Sequence, residues 1–251
     1  MEIENSTALV TGANRGIGRA IAEALAAHGA SVLAGVRAVD QDHGVPELAN
    51  LRAVRVDLSS RESIETCVGA LEDARIDILI NNAGVFEGGL LETQPVDRIY
   101  ELLQSSLTGP IHLTRLLLPG MLHRRRGKIV NNASIIGHAP FAGATVYAAA
   151  KAGVHGFTES LRQELEQTEL TVLELITPGV DTDMMQQVQE QLSAHVDTSG
   201  WDHVEPDEWA EKVVDAIRSD DDELNPGGAE RLAKLLPPAV MNLAARLAFD
   251  R

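Results

Sequence analysis

A tyrosine and a lysine stand four residues apart in Tyr147-Ala148-Ala149-Ala150-Lys151. On a helix, positions i and i+4 share a face, so the phenol and the ammonium become neighbours. A free phenol titrates near pH ~10, too high to trade protons readily at neutral pH. A nearby ammonium favours the phenolate and lowers that value. Tyr147 is therefore a candidate general acid/base, with Lys151 as its tuning cation. Ser134, thirteen residues earlier, is a candidate second contact for a carbonyl oxygen held by Tyr147. Taken alone, such a pair is also an ordinary surface feature.

A second set of residues has the types needed to hold a nucleotide. Thr11-Gly12-Ala13-Asn14-Arg15-Gly16-Ile17-Gly18 places glycines at i, i+4 and i+6. Glycines there allow a tight turn, close approach of backbone to a pyrophosphate, and close packing of the next helix on the strand. That helix presents free N–H groups and a positive dipole end to phosphates. A purely structural turn uses the same residues, and the spacing departs from G-x-G-x-x-G. The next strand ends Gly35-Val36-Arg37, without the carboxylate that holds the adenosine ribose hydroxyls in NAD sites. Arg37 and Arg15 suit a 2′-phosphate, because guanidinium forks match phosphate oxygens. The plainer reading is two surface arginines. The pair favours NADP (NADPH) over NAD.

These residues need a scaffold, and the apolar pattern supplies one. Short apolar runs at 6–11, 31–36, 51–56, 76–80, 128–131 and 171–176 read as strands. Helical spacing covers 16–28, with Gly29 at its C-terminal cap, then 60–73, 97–118 and 147–167. Strands alternating with helices predict an α/β fold, a doubly wound parallel β-sheet with helices on both faces. The 251 residues suit one domain (1–251) with a core that needs no staples. The single Cys67 excludes an internal disulfide and a four-cysteine zinc site, and no metal-ligand set is assigned.

The net charge of −16 argues against a nucleic-acid partner and against an anionic membrane surface. No signal peptide and no membrane span are visible, which points to the cytoplasm. Arg124-Arg125-Arg126 reads as an exposed loop between helix and strand. The acid-rich stretch 205–223 reads as a solvated helix face followed by a turn. In the C-terminal extension 225–251, Val240, Leu243, Ala244 and Leu247 form a stripe for the body, the cleft or another subunit.

Thr11-Gly12-x-x-x-Gly16-x-Gly18, Asn81-Asn82-Ala83-Gly84, Ser134, Tyr147-x-x-x-Lys151 and Pro178-Gly179 occur together and in order. In this combination, from about residue 5 to 185, the chain resembles the single-domain short-chain dehydrogenase/reductase family. The resemblance implies a Rossmann-type fold and hydride transfer between NAD(P) and a carbonyl or alcohol carbon. It implies that Gly12, Arg15 and Ile17 lie along the pyrophosphate and adenosine ribose, and that Asp57 and Leu58 flank the adenine. Asn82, Ala83 and Gly84 would back the nicotinamide side, and Pro178, Gly179 and Thr182 would approach the carboxamide and phosphates. Tyr147 would be the acid/base, Ser134 would orient the substrate oxygen, and Lys151 would bind the nicotinamide ribose and depress the tyrosine pKa.

Two positions depart from the family pattern. Ser106 stands where family members often carry an Asn that helps a water link the lysine to solvent, so Ser106 takes that relay role. Pro178-Gly179-Val180-Asp181-Thr182 is one residue shorter than the usual spacing to the threonine. The family keeps a variable substrate loop at 181–204, where Met184, Met185, Val188, Leu192 and Trp201 form either an apolar lid or the core face of a short helix. Phe86, Ile135, Ile136 and His138 are candidates for the cleft, His138 as an ordinary polar contact rather than a second base. The resemblance also implies a homotetramer or homodimer packed through 97–118 and 147–167. The leading expectation is a carbonyl reductase, or alcohol dehydrogenase in reverse. Its rival is a dinucleotide-sensing protein with little catalysis. A nucleotide-sugar epimerase or dehydratase would need a substrate domain for which 251 residues leave little room.

Overall fold

The computed structural model describes residues 1–39, 43–71, 74–198, 201 and 203–226. The C-terminal stripe at 240–247 lies outside them. Seven parallel strands form one sheet in the order β3-β2-β1-β4-β5-β6-β7. They are β1 Thr7–Thr11, β2 Ser31–Val36, β3 Leu51–Arg55, β4 Ile78–Asn81, β5 Gly127–Asn132, β6 Leu170–Leu175 and β7 Glu223–Leu224. Strand order reverses between β1 and β4, which pair from Ala8↔Ile78 to Val10↔Ile80. In open parallel sheets, ligands bind outside the carboxyl ends of the strands at such a reversal.

Alternate side chains of each strand enter separate cores, as the two-residue period of a strand requires. Ala8, Val10, Ile78 and Ile80 face helices α1 (Gly16–Ala27) and α8 (Pro206–Ser219). Leu9, Leu79, Ile129 and Val172 face α2 (Arg61–Ala70), α4 (Gly109–Arg124) and α6 (Thr145–Leu165). Helix α1 buries Ala20, Ile21, Ala24 and Leu25, which recur at helical spacing on one face. Its end is closed as expected: Gly29 has φ +87°, and the N–H groups of Gly29 and Ala30 donate to the carbonyls of Ala26 and Leu25.

One expectation needs correction, and two that hold in outline gain detail. The helix expected at 97–118 runs from α3 (Val96–Leu103) through one π turn (Gln104–Thr108) into α4, ending at Arg124. Pro110 has no N–H to return to the carbonyl of Ser106 four residues back, so the ladder widens there. The stretch 205–223 is more than a solvated face: α8 buries Trp209, Ala210, Val213, Val214, Ala216 and Ile217, with its acids on the other side. The following turn leads into β7, a two-residue strand whose shortness hid it from a pattern reading. Nor do the three arginines form one free loop. Arg124 closes α4 and donates to the Ile76 carbonyl at 2.7 Å, Arg125 pairs with Glu169, and Arg126 pairs with Asp77 at 3.3 Å.

Candidate active site

The carboxyl ends of β1, β4, β5 and β6 are joined by side-chain hydrogen bonds. Thr11 Oγ1 donates to the Ile80 carbonyl at 3.1 Å and accepts from the Asn82 and Ala83 N–H groups at 3.0 Å each. Asn82 Nδ2 donates to the Thr11 carbonyl, and Asn132 Nδ2 donates to Asn82 Oδ1 at 2.8 Å. Thr177 Oγ1 donates to Asn132 Oδ1 at 2.5 Å. This belt floors a cavity of about 850 Å³.

Backbone geometry sets one end of that cavity. Gly12 has φ +67°, and a Cβ there would lie 2.9 Å from the Ala83 Cα. A Cβ on Gly18 would lie 2.3 Å from both Asn82 Nδ2 and the Gly12 carbonyl oxygen. Neither position admits a side chain. Arg15, at the N-cap of α1, caps the helix with no side-chain hydrogen bond, and the first turn carries no acid. The N–H groups and positive end of α1 are thus left to an anion. Gly12, Asn14, Arg15, Gly16, Ile17 and Gly18 line this end, as do Arg37, Asp57 and Leu58. Arg15 also pairs with Asp183 at 3.5 Å. A glycine-walled crevice, an uncapped helix end and two arginines fit the pyrophosphate and 2′-phosphate of a dinucleotide.

The catalytic candidates stand at the other end. Ser134 caps the short α5 (Ile135–His138), accepting from the Ile136 N–H at 3.2 Å. Tyr147 and Lys151 lie one turn apart on α6, both buried, with Lys151 Nζ 5.6 Å from the Tyr147 ring centroid. Tyr147 stands near Ser134, close enough for the serine to favour its phenolate, and Phe86 packs edge-on against its ring at 5.1 Å. Lys151 Nζ donates to the Asn132 carbonyl at 2.6 Å. All three candidates line the cavity with Asn82, Ala83, Gly84, Pro178, Gly179 and Thr182.

The electrostatics differ from the expectation. Burial pushes the Tyr147 pKa up to about 12, and the nearby Ser134 side chain opposes this only in part. Burial also pushes Lys151 down to about 8. The expected lowering of the tyrosine by the lysine is therefore absent from this form of the site. The cost of an enclosed phenolate exceeds the help it receives. The protonated phenol is instead the favoured state, which suits donation to a carbonyl oxygen.

Ser106 stands just behind the cavity wall. It lies in the π turn, buried at 2 % exposure, and its Oγ accepts from the Val85 N–H at 3.3 Å, behind Gly84. Its neighbour Ser105 and Glu101 reach the cavity, and neither carries a signal in the sequence. Asn132 and Thr177 also escape a sequence reading, because their roles depend on contacts across strands. Thr182 lines the cavity while capping α7 (Asp183–Leu192), accepting from the Met185 N–H at 3.3 Å.

The variable loop contributes to both the core and the cavity wall. Val188 and Leu192 are buried with Phe86 and Tyr147, whereas Met184, Met185, Val188 and Trp201 also line the cavity. Phe141 meets Trp201 edge-on at 5.6 Å. Ile135 and Ile136 line the cleft; Phe86 packs behind Tyr147, and His138 turns away to Glu174.

A doubly wound sheet with a dinucleotide crevice at its strand reversal, opening onto a buried Ser-Tyr-Lys set, defines a nicotinamide-dependent oxidoreductase. Similarity to known proteins makes this particular. The sequence profile of the short chain dehydrogenase family matches residues 6–193, and the chain belongs to that family. It is 37% identical over 199 residues to a 3-oxoacyl-[acyl-carrier-protein] reductase, FabG, of Vibrio harveyi, covering 77% of this chain and 81% of the relative. The Escherichia coli protein of the same name is 33% identical, covering 78% and 82%. Among solved structures, a short chain dehydrogenase from Burkholderia cenocepacia in complex with NADP matches with a TM-score of 0.83 and 27% identity, covering 98% of this chain and 99% of that one. Actinorhodin polyketide ketoreductase with NADPH matches at 0.76 and 30%, covering 87% and 94%.

Proposed function

We propose that the protein reduces a small-molecule ketone or aldehyde with NADPH, and oxidises the alcohol in reverse. The observation that carries this reading is the meeting of Ser134, Tyr147 and Lys151 in the cavity that Gly12, Gly16 and Gly18 wall at its other end. NADPH bound there supplies the hydride to the carbonyl carbon. Negative charge then builds on the carbonyl oxygen. Tyr147 delivers its proton to that oxygen, and Ser134 gives a second hydrogen bond. Lys151, held by the Asn132 carbonyl, keeps a cation beside the ribose position. Arg37 and Arg15 select the 2′-phosphate, which supports NADPH over NADH. The NADP and NADPH complexes of the structural relatives support the same choice.

The names of the FabG relatives suggest a 3-oxo group as the reducible carbonyl. Ile136, Phe141, Met184, Met185 and Trp201 would hold the apolar flank of such a substrate. The roles of Pro178, Gly179 and Thr182 at the carboxamide, and of Ser106 in proton relay, belong to this proposal. So does a homodimer or homotetramer in the cytoplasm, packed through α3, α4 and α6. The exposure of Val96 (64 %) and Tyr100 (72 %), one turn apart on α3, supports a covered face. The test follows NADPH oxidation at about 340 nm across a panel of aldehydes and ketones, with Tyr147→Phe beside the wild type. Turnover by both at the same rate would overturn the assignment.

A further inference from the structure

Behind the cavity, three side chains from three elements point at one another. His138 ends α5, His155 stands one turn past Lys151 on α6, and Glu174 belongs to β6. His138 Nε2 lies 3.2 Å from Glu174 Oε1, and His155 Nδ1 lies 3.1 and 3.0 Å from the two carboxylate oxygens. One ligand atom from each lies within 4.8 Å of the others, and no other such group of three occurs among the described residues. None of the three lines the cofactor cavity.

We propose that His138, His155 and Glu174 form a binding site for one divalent transition-metal ion of the zinc type. The two His–Glu spacings of 3.0–3.2 Å fit, since metal bonds of about 2.0–2.1 Å at tetrahedral angles put neighbouring ligand atoms roughly 3.3 Å apart, and the imidazole nitrogens lie within 4.8 Å of each other. Charge points the same way. The Glu174 side chain is 0 % exposed, and among the described residues its only ion-pairing partners are the two imidazoles. A divalent ion held between this buried carboxylate and the two imidazoles would add a positive charge where the carboxylate is shut off from water. Two imidazole nitrogens and one carboxylate oxygen select zinc, cobalt or nickel over magnesium or calcium. Exposure rises from Glu174 through His138 at 9 % to His155 at 38 %, so in the single chain an ion would reach the cluster from the His155 side. The sequence carries no motif for this site, because the ligands are scattered over 138–174 and meet only in the fold.

The site stands apart from the oxidoreductase reading, and its test does not depend on turnover. The full chain without a histidine tag, stripped with a chelator, is titrated with Co²⁺ as a spectroscopic probe and with Zn²⁺ by calorimetry. One equivalent should bind, with visible Co²⁺ bands that Zn²⁺ abolishes. Zn²⁺ at about a hundredfold excess over Kd should raise Tm by roughly 5–10 °C. His155→Gln, at the partly exposed ligand, should keep the fold and NADPH binding yet weaken Zn²⁺ binding at least about tenfold. Glu174→Gln should remove the Co²⁺ bands. Lack of stoichiometric uptake by the wild type overturns the site, as does undiminished uptake by His155→Gln. In either case the three residues are a hydrogen-bonded tie between α5, α6 and β6.

Discussion

The two ends of the cavity are made of different material. At the β1–α1 end, backbone forms the wall: Gly12 and Gly18 sit where a Cβ would overlap Ala83, Asn82 or the chain itself, and bare helix N–H groups face the space. At the α7 end, side chains form it: Met184, Met185, Phe141 and Trp201 have ordinary backbone and rotatable contacts. A backbone wall fixes one ligand shape. A side-chain wall can be re-cut by substitution while the fold stays. The common nucleotide then belongs at the first end and the variable substrate at the second.

The sharpest way to break this division is at the junction between the ends. Tyr147→Phe removes one hydroxyl while keeping the edge contact with Phe86. It should lower kcat by about 10²–10⁴ with NADPH affinity unchanged. A matching loss of cofactor binding, read by NADPH fluorescence, would show that the ends are not separable. Arg37→Ala should weaken NADPH about ten- to a hundredfold and leave NADH alone, the loss of a charge-assisted phosphate contact of about 1.5–3 kcal/mol. Equal losses for both cofactors would remove the 2′-phosphate assignment.

Gly18→Ala asks whether the backbone wall tolerates one methyl. The overlap at 2.3 Å should cost about 1–3 kcal/mol, visible in a thermal melt together with weaker NADPH binding. An unchanged melt would mean that the wall yields as side chains do. At the α7 end, Met185→Ala should raise KM for a bulky apolar ketone by about fourfold for each methylene that no longer packs on the substrate, with NADPH affinity untouched. A change in cofactor affinity there would contradict the comparison.

Lys151 gives a pH test with two opposite signs. Burial holds its pKa near about 8, below the ordinary value of 10.5. As pH rises through about 8, the cation is lost, and kcat/KM and NADPH affinity should fall. Fold stability should move the other way. Between about 8 and 10.5 the unfolded chain binds the proton that the folded chain has released, so Lys151's contribution to stability rises with pH. Tyr147, raised to about 12, reverses that trend only above about pH 10. Lys151→Arg should remove the fall in NADPH affinity near pH 8, because its charge persists.

This contrast also explains what the sequence could reveal. Positions defined by backbone need a residue type that nothing replaces, so Gly12, Gly16 and Gly18 announce the crevice by spacing. Tyr147 and Lys151 are legible because a helix fixes i and i+4. Asn132, Thr177, Ser105 and Glu101 carry no local signature. Asn132 and Thr177 matter through partners far along the chain, Asn132 bonding to both Asn82 and Thr177. The π turn escapes because its cause, Pro110, reads as an ordinary first-turn proline. The buried face of α8 escapes because its many acids mask Trp209, Val213 and Ile217.

The strand reversal has a further consequence, for the order in which the molecule comes together. β1 meets β4 across 70 positions, and Thr11 closes the join by bonding to Ile80, Asn82 and Ala83. The crevice draws on segments from Gly12 to Thr182, so neither half of the chain contains it whole. It exists only once distant segments have paid their loop-closure entropy and docked, which is slow in parallel sheets. A nascent chain therefore emerges with no nucleotide site for most of its synthesis. The nucleotide enters at the end as a latch, shifting the balance toward the finished form without guiding the steps before it.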